Sequence, residues 1–262
     1  MEAGLENVGR SVHYTGYRTS AERDGLSIDI YKSMPTSKGI EILQLAASGK
    51  NIPACVAAAE LIWVVEYDRL TYYLSKEITQ FLLTTKVDFR LYDIPKCMFY
   101  AVAPHPSSKI QPCLVDLAKQ RMAIHTAAKG GVSTILMTDT GGLKDMLTDP
   151  SFGDTPEIRK ANYAHTKLAY TLWVYMKAFP ELIKDGFPDD MNIRSMRHSK
   201  GAKRRSIQLP DKIKRVAPGT HLRQWHLRHL WSDRFKRNPD GTVKVVLVRD
   251  TIVNRLNAKT VG

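Results

Sequence analysis

Between Pro112 and Gly131 the chain runs PCLVDLAKQRMAIHTAAKGG, and the middle of the molecule turns on how this segment is built. Pro112 suits the first turn of a helix, where a missing N–H costs nothing. Leu114, Leu117, Ala118, Met122, His125 and Ala128 follow at helical steps and make one apolar face. Gly130-Gly131 stops the pattern. The segment predicts a helix, with Val132 to Thr138 beyond it as a strand.

Outward from this segment the pattern alternates between helix and strand. Upstream, Val87, Phe89 and Leu91 alternate with polar residues, and Lys96 to Ala103 is a short apolar run; both predict strands. A long helix is expected over residues 53 to 83, after Asn51 and Pro53, and a shorter one from Lys38 to Gly49. Downstream, Asp154-Thr155-Pro156-Glu157 is a helix start, followed by an apolar stripe from Ile158 to Ile183. Asn238-Pro239-Asp240-Gly241 is turn chemistry before the nearly all β-branched run Val243 to Val248, which predicts a β-hairpin. The expected fold class is α+β: a mostly helical body with a small antiparallel sheet and a basic C-terminal β-hairpin region. The expected organisation is an irregular arm (1–37), a helical body (38–190), a basic linker (191–219) and a basic β-rich module (220–262).

Composition narrows the class. The chain is 43% hydrophobic and 25% charged, which is globular usage. The most apolar window, Ile52 to Val65, contains Glu60 and is shorter than the roughly 20 apolar residues that a membrane span needs. The acidic start Met-Glu-Ala-Gly-Leu-Glu does not resemble a secretory signal. Cys55, Cys97 and Cys113 are odd in number, so reduced thiols are expected. The expected location is the cytoplasm.

Charge is the sharper signal. Of a net +13, residues 191–262 hold 18 Lys and Arg against four Asp, and the other 190 residues are nearly neutral. A neutral body with a basic end points to a nucleic acid or another polyanion. The basic region has no clean amphipathic helix, which disfavours a membrane partner. Lys203, Arg204 and Arg205 are part of this basic stretch and are candidate nucleic-acid contacts.

The densest constellation is His221-Leu222-Arg223-Gln224-Trp225-His226-Leu227-Arg228-His229. In a strand, His221 shares a face with Arg223, and His226 with Arg228; a bulge at Gln224-Trp225 would join the two pairs. Imidazole moves protons near neutral pH and guanidinium neutralises phosphate. These are the parts of a metal-independent ribonuclease with His221 and His226 as acid and base. They are equally the parts of a passive RNA surface built from Arg223 and Arg228, with Trp225 and Trp231 to stack on bases. Bracing of the hairpin by hydrogen bonds is the third reading. In a helix, His226 and His229 would instead be neighbours. No third ligand accompanies the histidines, so no metal is expected, and no cofactor. His125 and His165 read as hydrogen-bonded core histidines.

The run His221-x-Arg223-x-x-His226-x-Arg228, with its Gly-containing turn and the strand Val243 to Arg249, resembles the C-terminal motif of a type V-A anti-CRISPR family and its relatives on phages and plasmids. The resemblance covers about 35 to 45 residues from Pro218 onward, and Gln224-Trp225 departs from it where the relatives often carry a small residue. It implies a regulator from a mobile genetic element that recognises a nascent CRISPR effector polypeptide and promotes decay of the mRNA being translated. The resemblance further implies a bacterial host, an RNA- or ribosome-facing basic end, and a nascent or folded CRISPR effector polypeptide as partner. Two other functions stay open from the residues themselves: an endoribonuclease, and an inhibitor that binds a protein directly without touching nucleic acid.

Overall fold

The computed structural model describes residues 36–48, 52–89, 91, 96–103, 112–118, 120–128, 131–138, 142–189, 203–210, 225–232, 234–239, 241 and 243–249. The expected body is corrected: it is not mostly helical. It is a mixed α/β arrangement around a seven-stranded sheet in the order β6-β5-β4-β3-β1-β8-β7. The strands are β1 (Thr71–Tyr73), β3 (Cys97–Val102), β4 (Cys113–Ala118), β5 (Arg121–Ala128), β6 (Gly131–Thr138), β7 (Ile183–Asp185) and β8 (Arg204–Ile207). β1 runs parallel to both β3 and β8, β3 to β6 form an antiparallel meander, and β7 closes the other edge antiparallel to β8.

The segment from Pro112 to Gly131 is therefore a hairpin and not a helix. Ala118 pairs with Arg121, and Gln120 turns the chain with φ of 60°. Across this turn Arg121 bonds Asp116 at 3.2 Å. Gly131, expected to stop a helix, opens β6 opposite Ala128 of β5. The misreading has a physical cause. Phe99, Ala101, Cys113, Val115, Leu117, Met122 and Ile124 pack on one face, while Met98, Tyr100, Val102 and Leu114 pack on the other. A strand buried on both faces loses its polar alternation and resembles a helix of similar composition.

Helices cover the two faces. α1 (Thr36–Ala47) packs on α2 (Ile52–Val65), and Ala59, Trp63 and Val64 of α2 cover the Met98–Tyr100 side. α3 (Lys76–Thr84) and α4 (Pro156–Ala178) cover the Phe99 side. The long helix expected over residues 53 to 83 is thus two helices with a strand between. Asp68 and Arg69 sit at φ of 46° and 52°, which ends α2 and releases Thr71-Tyr72-Tyr73 into the sheet. α4 begins as expected: Thr155 is the cap, its Oγ1 accepting from Ile158 N–H at 3.3 Å, with Pro156 first in the helix.

A second sheet, in the order β10-β9-β2, consists of β2 (Lys86–Val87), β9 (Trp225–His229) and β10 (Val245–Arg249). Leu227 is 1% exposed in the same core as α4, and Val245 and Leu247 pack beside it. Tyr170 of α4 donates its hydroxyl to the Asp88 carbonyl at 3.1 Å and packs against Phe89, holding the exit of β2. No helix among the described residues is long and apolar enough to cross a membrane.

Candidate nucleic-acid interface

The β9–β10 hairpin positions the histidine–arginine run. The connection from Leu230 to Lys244 contains a turn with Gly241 at φ of 80°, Gly241 N–H donating to Asn238 O at 2.9 Å. β9 pairs antiparallel with β10 in the register His226↔Val248, Leu227↔Leu247, Arg228↔Val246 and His229↔Val245. Leu227 faces the core, so alternation turns His226 and Arg228 to the opposite, outer face. The strand pairing excludes the helical alternative in which His226 and His229 are neighbours. They lie on opposite faces of β9 and do not form an acid–base pair across one face.

The third member of the outer face comes from far away in sequence. β2 pairs parallel with β9, placing Lys86 opposite His226 and Val87 opposite Leu227. Lys86 and Arg228 are exposed and His226 is half-buried, so a lysine, an imidazole and a guanidinium share one surface. Nothing in the sequence signalled Lys86, because 140 residues (226 − 86) separate it from its partner. An open cleft of about 560 Å³ lies along this edge, lined by these three residues together with His229, Trp231 and Phe235. His229 and Trp231 have their rings nearly parallel, 23° apart in plane and 5.4 Å between centroids. The Arg234 guanidinium lies 4.8 Å from the Phe235 ring centroid.

His221 and Arg223 lie outside the described residues, as does the expected bulge at Gln224, and so does the side chain of Trp225. Arg204 and Arg205 belong to the other sheet, and Lys203 directly precedes them. Arg204 and Arg205 are successive residues of β8 and point to opposite faces. Arg205 pairs with Asp185 of β7, and the Arg204 guanidinium lies 5.6 Å from the Phe187 ring centroid. Lys203 is exposed, while its backbone ties Asp68 to Thr71.

The other histidines differ in kind. His125 is buried on β5 with Nδ1 3.0 Å from Thr134 Oγ1, and burial, reinforced by Arg121, pushes its pKa down to about 4. His165 is buried on α4 with Nδ1 2.8 Å from the Ala161 carbonyl. The three cysteines are free thiols, and burial pushes Cys113 up to about 12. Among the described residues no cluster of three or more His, Cys, Asp or Glu is placed to hold a metal. No family model, no curated protein and no solved structure matches the chain.

What this arrangement offers chemically is charge and planar rings together. Lys86 and Arg228 neutralise phosphate, the His226 imidazole adds hydrogen-bonding nitrogens between them, and the ring pair offers flat apolar area.

Proposed function

We propose that the protein is a regulator that engages RNA through the β2–β9–β10 sheet and lowers expression of a translated message. One observation carries the RNA part: β9 turns His226 and Arg228 outward beside Lys86 while Leu227 anchors the strand in the core. The likeness of the C-terminal motif to the type V-A anti-CRISPR family supports the rest. On that basis the protein is phage- or plasmid-encoded, acts in the bacterial cytoplasm, and reads a nascent CRISPR effector polypeptide while its message is translated.

The test is retention of a labelled mRNA by the full chain in EDTA between about 50 and 200 mM salt. Each phosphate neutralised on a single strand adds about 0.7 to the slope of log affinity against log salt, so Lys86 and Arg228 together contribute about 1.4. Lys86→Ala and Arg228→Ala should each flatten the slope by about 0.7. Retention that ignores salt, or no retention, defeats the RNA reading and favours an inhibitor that binds a protein directly. Cleavage in EDTA that His226→Ala abolishes, with binding spared, makes the protein a metal-independent endoribonuclease instead.

A further inference from the structure

We infer that the cleft beside β9 receives an unpaired nucleobase, so that the RNA ligand is single-stranded at the point of contact; this rests on the RNA reading above. The shortness of β2 opens the space. Only Lys86 and Val87 pair with β9, opposite His226 and Leu227, so the described strand partner on that side ends at Leu227. Leu230 N–H donates to Lys244 O at 2.9 Å, which sets the phase of the antiparallel ladder: the peptide groups of Leu227 and His229 turn toward the β2 side. Past Leu227 the β2 side of the strand therefore borders the cleft instead of another described β-strand, and side chains from both faces of β9 reach its rim.

Those side chains divide by chemistry. Lys86, Arg228 and Arg234 are exposed cations of the lining, against the single Asp88 carboxylate, so its charge is net positive. His229 and Trp231 are half-buried planar rings already held nearly parallel, and Phe235, also in the lining, lies under the Arg234 guanidinium. Rings backed by cations form a stacking platform for bases. The open cleft, at about 560 Å³, falls within the volume range of ligand pockets. An A-form duplex keeps its base faces stacked inside and offers a protein its phosphates and minor-groove edges, so it has no flat face to place in such a cleft. A single strand can splay a base into it while its phosphates lie along the Lys86–Arg228 rim. The basic rim favours RNA over a peptide strand added to the same edge.

The experiment compares a fluorescein-labelled single strand of about 12 nucleotides, within the usual site size of a single-strand binder, with a hairpin duplex of the same sequence, by anisotropy on the full chain. The single strand is then rebuilt with one abasic ribose at each position in turn, which removes a base and keeps every phosphate. The expected result is tighter binding of the single strand and a loss of about 5- to 150-fold at one or two abasic positions. Trp231→Ala should reproduce that loss on the intact strand, and Trp231→Phe should restore most of it. Equal affinity for strand and duplex, or an abasic series that is flat throughout, overturns the inference while leaving RNA binding standing. No binding of either RNA overturns the RNA reading and this inference together. The abasic series uses the unaltered protein, so its outcome does not depend on whether Trp231→Ala folds.

Discussion

The interior strands of the seven-stranded sheet and the strand β9 treat a polar residue in opposite ways. In the large sheet, helices cover both faces, and a histidine such as His125 is buried, bonded to Thr134 and held neutral by desolvation. In the small sheet only the Leu227 face meets the core, and the residues on either side of Leu227 point outward. Both sheets are built from strands with histidine and arginine in them. What differs is the number of covered faces, and that number decides whether an imidazole is part of the packing or part of a surface.

The largest expected effect tests the doubly covered side. Phe99 is fully buried and edge-on to Tyr72, so Phe99→Ala should cost about 3–5 kcal/mol in chemical denaturation. A loss below about 1 kcal/mol would mean that this face is not a packed core. The next effect is in pH. The folded pKa of His125 lies below its ordinary value of 6.5, so the unfolded chain takes the proton first. Its contribution is complete above about pH 6.5 and is lost as pH falls toward about 4, a change on the order of 3 kcal/mol. His125→Leu should remove that slope from a pH series of denaturation midpoints, whereas His226→Ala should leave it. The smallest effect tests the singly covered side. Lys86→Ala and Arg228→Ala, on an exposed face, should each change stability by no more than about 0.5 kcal/mol while weakening RNA retention. A large loss of stability in either would turn the outer face into bracing and sink the comparison.

Some of this was legible in residues alone. The Asn238-Pro239-Asp240-Gly241 turn and the β-branched run after it foretell the β9–β10 pair, because turn chemistry is local. Thr155 and Pro156 mark the start of α4 for the same reason. The seven-stranded sheet was not legible. Its key hairpin turns at Gln120 with positive φ and no glycine to announce it, and its strands carry apolar residues on both sides. Asp68 and Arg69 likewise break an apparently continuous helix through backbone conformation that neither residue type advertises.

By itself, the sequence determined the charge split, the density of histidine and arginine after His221, and the alternation that sets His226 and Arg228 on one side of any strand they form. Each is a property of composition or of neighbours a few residues apart. Only the tertiary structure decided which side faces outward, that Lys86 stands next to His226, and that a cleft opens where β2 stops. Those facts depend on burial of Leu227 in the core it shares with α4 and on pairing between segments far apart in the chain, and no local pattern encodes a partner so distant.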